Sequence, residues 1–245
     1  MDLAPKEVDS ATKAENHRAH QSIALSFLAG YVDTVGFVAL FGLFTAHVTG
    51  NFVLIGSELA NPSHGVLIKF LAFPAFVTAI ALTRMTVVWR ERSARPVLPA
   101  LFLLQLVFLC GFLLAGYYAE PIRDTGTPMA LLAGMLGAAS MGVQNACSRL
   151  VLNHLTPTTV MTGNVTQLVI DLVDILRDEA DATVRARCVK FFWPVITFGV
   201  GAIGGAIAFK YLHFLALLLP AALLTYLFGA ELQREKSDGS PKLPA

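Results

Sequence analysis

Ala46-His47-Val48-Thr49-Gly50-Asn51-Phe52 returns, altered but recognisable, as Thr159-Val160-Met161-Thr162-Gly163-Asn164-Val165. The shared Thr-Gly-Asn tripeptides lie 113 residues apart. Nine residues after each Thr comes an acid, Glu58 and then Asp171. Upstream of each tripeptide stands a Gly with a polar residue three places on, Gly30 with Asp33 and Gly142 with Asn145. These upstream pairs are offset by 112, so one single-residue gap aligns the two halves. Self-similarity at a fixed spacing points to duplication. Here the duplication keeps polar residues at matched positions inside very apolar sequence.

The surroundings set the solvent. Hydrophobic residues make up 55% of the chain and charged ones 14%, with a mean hydropathy of +0.63. Soluble domains carry about 25% charged residues. Runs such as Ile23–Phe44 and Val97–Tyr118 exceed the roughly 20 apolar residues that a bilayer crossing needs. Too little polar sequence remains to coat several such helices in water. The net charge of +1 implies no pull on nucleic acid. Cys110, Cys147 and Cys188 have no zinc-ligand spacing and read as small apolar fillers. No cofactor is implied. Asp2, Glu7, Asp9 and Glu15 argue against a transit peptide, and the first apolar run lacks a small-residue cleavage pattern, so it is expected to stay as a membrane span. The segment 233–245, with Pro241 and Pro244, is expected to lack structure.

Six spans follow from length and apolarity, at about 22–44, 65–88, 97–118, 128–151, 190–209 and 211–230. The Thr-Gly-Asn segments, about 46–60 and 158–176, are shorter or interrupted. Loop charge decides whether they cross. If neither does, Lys6, Lys13, Arg18, Arg90, Arg92, Arg95, Arg177, Arg185, Arg187, Lys190, Arg234, Lys236 and Lys242 share one side, and little beyond Arg123 and Lys210 falls on the other. That is a positive-inside pattern with both termini cytoplasmic. If both segments cross, the arginine loop at 89–96 moves outside and the pattern breaks. The expected fold is therefore all-α: a polytopic bundle of about six transmembrane helices in a 3+3 inverted repeat. Each half adds a short Thr-Gly-Asn helix or re-entrant segment. A polar tail (1–21) precedes the first repeat (22–118), and the second (128–230) leads into a polar tail (231–245). Inverted repeats are a common construction of secondary transporters.

Asp33 is the costliest residue, because a charge at a helix centre costs roughly 2.5–3.5 kcal/mol on insertion scales. It reads as a proton, cation or substrate site, against a helix-packing hydrogen bond as the plain alternative. Asn145 takes the matched position beside Gln144 and does not titrate. Thr and Asn are good N-caps and Gly permits close approach, so each Thr-Gly-Asn suits the start of a helix whose free N–H groups face a cavity. A small-residue helix contact would recur in both halves equally well. Glu58 and Asp171, about two turns on, line a vestibule or face headgroups. His47 has Val160 as its counterpart and so stands outside the duplicated pattern. The Gly201-x-x-x-Gly205 pair and the stretch from Gly134 to Gly142 are packing stripes.

Gly30-Tyr31-Val32-Asp33, His47-Val48-Thr49-Gly50-Asn51, Met141-Gly142-Val143-Gln144-Asn145 and Met161-Thr162-Gly163-Asn164 resemble the YoaK-type family of bacterial membrane proteins. The resemblance covers nearly all of 22–230 and implies a fold but no substrate. A weaker resemblance is to one half of a major-facilitator transporter, whose basic loop follows the second span, as Arg84, Arg90, Arg92 and Arg95 do here. The Gly-Asp signature of that loop is missing. That likeness implies a homodimer completing a cavity.

The function expected is transport of a small molecule or ion in the inner membrane, with proton coupling through Asp33. Thr49, Gly50, Asn51, Thr162, Gly163 and Asn164 would supply contacts, and Gln144 and Asn145 a second wall. The alternative is a structural or regulatory membrane protein without flux. An enzyme is disfavoured because the six histidines are scattered and no nucleophile motif occurs.

Overall fold

The computed structural model describes residues 5–60 and 65–238, with side chains over 19–60 and 65–235. Among them all regular secondary structure is helical, with no strand. The elements are α1 (Pro5–Ala39), α2 (Gly50–Ala60), α3 (Val66–Arg92), α4 (Leu98–Ala119), α5 (Pro128–Leu150), α6 (Thr162–Leu176), α7 (Ala182–Leu212), a 3₁₀ turn (His213–Leu217) and α8 (Leu218–Asp238). Five stretches are long and apolar enough to cross a membrane: Ala19–Ala39, Val66–Arg92, Leu98–Ala119, Pro128–Leu150 and Ala182–Glu235. The fifth contains both α7 and α8, which the sequence reading separates into two spans. α2 has 11 residues and α6 has 15, so at about 1.5 Å per residue neither covers a ~30 Å hydrocarbon layer.

Local chemistry sets several helix ends. Thr127 caps α5 by accepting from the Ala130 amide, with Pro128 in the first turn where its missing N–H costs nothing. Asp181 caps α7 through the Val184 amide at 2.8 Å. The first span stops at Ala39, short of the expected 44, because Leu40–Thr49 folds as a loop. Residues 233–238 continue α8 instead of losing structure, and 239–245 lie outside the described residues.

Glycines set the helix directions. A Cβ on Gly30 would sit 2.1 Å from the Phe198 carbonyl oxygen, one on Gly201 2.2 Å from that of Phe27, and one on Gly205 2.6 Å from that of Tyr31. Phe27 faces Gly201 and, one turn on, Tyr31 faces Gly205, so α1 and α7 run side by side in one direction. Likewise a Cβ on Gly134 would meet Ile68, and one on Gly142 would lie 2.8 Å from the Phe76 carbonyl oxygen, so α3 and α5 run together. The Gly201 and Gly205 stripe thus packs inside the chain. α5 is antiparallel to α1, since Gln144 reaches the Leu25 carbonyl while Gly137 abuts Thr45, beyond the end of α1. α8 returns along α1: the Tyr31 hydroxyl donates to the Ala216 carbonyl at 2.9 Å, and Gln21 donates to Glu231 at 2.9 Å.

The core is one continuous apolar cluster that includes Leu28, Val32, Leu43, Phe102, Phe112, Met141 and Leu224. Phe214, fully buried in the turn between α7 and α8, meets Phe112 and Phe209 edge-on at 5.7 and 5.5 Å. Cys147 is buried in this cluster, as its apolar surroundings imply. The outside is apolar too. Ile196, Val200, Ile203, Ile207 and Tyr211 form an exposed stripe on α7, and Phe70, Phe73, Val77 and Met85 one on α3. Water would penalise such stripes, whereas lipid is their matching solvent.

Candidate functional site

Loop 40–49 leaves α1 with Phe41 and Gly42 in the left-handed region, at φ 54° and 82°. Gly42 adopts that conformation freely, but Phe41 needs its surroundings to hold it there. Lys69, buried on α3, does so by donating to the Phe41 carbonyl at 2.8 Å. The same ammonium pairs with Glu58 of α2 at 2.7 Å. Asp33, 7% exposed on α1, grips the loop further along. Its Oδ1 accepts from the Thr45 amide at 2.6 Å, the Ala46 amide at 2.7 Å and the Thr45 hydroxyl at 3.2 Å. Asn51 closes the loop with both ends of its amide. Oδ1 accepts from Phe44 N–H at 2.9 Å, and Nδ2 donates to the Phe44 carbonyl at 2.8 Å.

The second half repeats this device with different chemistry. Asn145 donates to the Thr159 hydroxyl at 2.8 Å. Gln144 donates to the Thr158 hydroxyl at 3.0 Å and the Leu25 carbonyl at 2.8 Å, and accepts from Gln105 of α4 at 2.9 Å. Asn164 donates to the Pro157 carbonyl at 2.7 Å. Pro157 holds the place of Phe44 and has no N–H, so the return bond of the first half has no donor here. Lys190 donates to the His154 carbonyl at 2.8 Å, and His154 stands 113 residues after Phe41. The acid after the tripeptide again finds a base on the third helix: Asp171, fully buried, takes a two-pronged contact from Arg187, at 2.7 Å from Nη2 and 3.0 Å from Nε. This guanidinium, with Gln167 beside it, holds the Asp171 carboxyl below the usual carboxylate range.

Each half therefore has a latch. A polar side chain on its first helix, the tripeptide asparagine and a lysine on its third helix pin the intervening loop. Asn51 and Asn164 are 1% and 3% exposed, and their amides are held by backbone that precedes them, not by a helix they cap. α2 starts at Gly50, and α6 starts at Thr162 with Met161 before it. Thr49, Thr162 and Gly163 lie exposed at the loop tips, and Gly50 packs under the Phe44 ring. Glu58 and Asp171 pair with bases in the protein. Spacing alone did not reveal the lysines, though a signal exists. Each precedes a proline of its own helix by about one turn, Lys69 before Pro74 and Lys190 before Pro194.

Two cavities open elsewhere. One of about 540 Å³ lies between the end of α1 and the α7–α8 turn, beside Glu120 and His213. One of about 690 Å³ lies at the other end, between α1, α7 and loop 152–161. Neither is lined by Asp33, Asn51, Asn145 or Asn164. Among the described residues no three His, Cys, Asp or Glu side chains converge as a metal site would require.

Comparison with known proteins agrees with this architecture. Residues 21–230 match the family model described as "Protein of unknown function (DUF1275)". The UPF0700 transmembrane protein YoaK of Bacillus subtilis (strain 168) is 25% identical over 213 residues, which span 84% of this chain and 92% of that protein. No solved structure matches. The matched segment takes in both latches and nearly all of the five apolar stretches, and the chain belongs to the DUF1275 family of multi-pass membrane proteins.

Proposed function

We propose that the chain is a secondary transporter or permease for a small molecule or ion, built from two inverted three-helix halves in the bacterial inner membrane. On this reading α7 and α8 cross separately, which gives six crossings with both termini cytoplasmic. The observation that carries it is the placement of the latches. Thr45 packs against Gly137 and Thr158 bonds Gln144, so the matched pins meet one helix about two turns apart. The packing is exchanged in the same sense, α1 on α7 of the other half and α5 on α3. Gly30 and Gly142 stand at the equivalent crossings, against Phe198 and Phe76. Two halves of this kind can rock about a shared seam and open one end at a time.

The latches would be the gates. Protonation of Asp33 weakens its hold on two backbone N–H groups, while Asn145 does not titrate. The gate of the first half would thus answer to protons and that of the second would not. The competing reading, a membrane protein without flux, draws on the same bonds as pure architecture.

The test is flux into proteoliposomes holding a trapped pH dye, run against panels of organic acids, amino acids, sugars and monovalent cations. The expected result is solute-dependent proton movement that Asp33→Asn uncouples. Failure of every panel to move protons or solute would leave the architectural reading standing.

A further inference from the structure

We propose that the 690 Å³ cavity between α1, α7 and loop 152–161 binds a phosphate group, presented on an anionic phospholipid or as a free cytoplasmic phosphate. The inference stands on the geometry of that cavity and does not need the protein to carry flux.

Four observations lead to it. Ser22 lines the cavity, is 6% exposed, and its hydroxyl has no hydrogen-bond partner. A helical serine ordinarily back-bonds to a carbonyl one turn earlier. A buried hydroxyl left without one is destabilising, so its persistence in the cavity wall marks a donor that an external acceptor would satisfy. The cavity wall is also electropositive. Lys190 and Arg187 line it, and among the described residues no Asp or Glu does. Arg187 is partly neutralised by its contact with Asp171, with Asp174 and Asp181 also in its field. Lys190 is held by a neutral carbonyl, which leaves further ammonium protons to donate.

The rest of the wall is apolar and interfacial. Ile23, Trp193 and Pro194 continue the cavity, and Trp193 is half exposed. The cavity sits where the apolar span of α1 begins at Ala19, the level at which Trp and snorkelling lysines mark the membrane–water boundary. Ser22 and Lys190 line the same cavity there, beside an apolar floor. This suits a phosphate with a hydrophobic extension, and the volume lies in the range of ligand pockets.

The chain has two tryptophans, so Trp89→Phe leaves Trp193 as the only reporter. This variant is placed in phosphatidylcholine nanodiscs, and its emission is followed with increasing phosphatidylglycerol and, separately, inorganic phosphate. A saturable change is expected. If phosphatidylglycerol alone produces it, the ligand is the lipid headgroup, and if inorganic phosphate also produces or competes for it, the site takes free anions. Lys190→Gln should weaken the response roughly tenfold or more, the effect of losing a charge-assisted bond. Lys210→Gln, at the far end of α7, should leave it unchanged. Because Lys190 also holds loop 152–161, Ser22→Ala provides an independent check. It should leave the ligand-free melting temperature equal or higher, since an unpartnered hydroxyl is removed, and still weaken binding. No saturable change with either probe would overturn the proposal, and so would a response unaltered in both Ser22→Ala and Lys190→Gln.

Discussion

At the scale of single residues, the two asparagines of the tripeptides differ in a way their identical motifs conceal. Asn51 satisfies both polar groups of Phe44, whereas Asn164 satisfies the carbonyl of Pro157 and otherwise reaches the Met161 sulfur, a weak acceptor, at 3.2 Å. Removing a partner from a buried polar group costs about 1–3 kcal/mol. Asn51→Ala is therefore expected to lose roughly twice the stability of Asn164→Ala, measured by unfolding in detergent. Equal losses would mean that the loops are held by something other than these amides. Asp33 yields a related contrast. Asp33→Asn keeps an oxygen for the Thr45 and Ala46 amides and should stay within about 1 kcal/mol of the parent, while Asp33→Leu strands both amides and should cost about 2 kcal/mol or more. The amide is already tolerated at the matched position, where Asn145 stands.

At the scale of helices, the crossings depend on missing side chains. Gly30→Ala places a methyl against the Phe198 backbone and Gly142→Ala one against that of Phe76, neither of which yields like a side-chain tip. Overpacking of this kind costs typically about 1–3 kcal/mol. A Cβ on Gly199 meets nothing within 4 Å, so Gly199→Ala should be stabilising by up to about 1 kcal/mol through helix propensity alone. Opposite signs at Gly30 and Gly199 are the expected result, and a loss at both would contradict the packing described. The docking of α6 on α7 depends on charge. Asp171 titrates below its unfolded value of about 3.8, so its contact with Arg187 contributes stability in full above that pH and loses it as pH falls through the lower native value. Protection of α6 amides against hydrogen exchange, taken relative to the intrinsic rate at each pH, should therefore fall at acid pH in the parent. In Asp171→Asn protection should be low already near neutrality, with little further dependence on acid.

At the scale of the whole molecule, the prediction concerns sidedness. Gly56 on α2 and Arg177 at the end of α6 are both exposed and belong to matched segments. In a background lacking Cys110, Cys147 and Cys188, a cysteine at 56 should react with an impermeant maleimide from outside, and one at 177 only from the cytoplasmic side. Reaction of both from one face would remove the inverted arrangement and with it the main support for transport. The same labels placed at Thr45 and Thr158 test gating. Only the first should gain reactivity as pH falls, and Asp33→Asn should abolish that gain.

The sequence by itself determined the solvent of this protein, its helical class and the matched positions at which polar residues recur. Apolar length and charge distribution act locally, so Val66–Arg92 or Leu98–Ala119 reads as a span without knowledge of any neighbour. It also marked Gly30, Gly142 and the tripeptides as special. It could not say for what, because a buried asparagine facing a ligand and one facing its own loop have the same spelling. Only the tertiary structure decided that Asn51 turns back on Phe44, that Lys69 and Lys190 cap loop carbonyls, and that Glu58 and Asp171 meet bases across helices. Inside a membrane-like core a polar group takes the partner that the fold brings within 3 Å. That partner lies 7 residues away for Asn51 and 28 for Lys69, distances in sequence that no local pattern encodes.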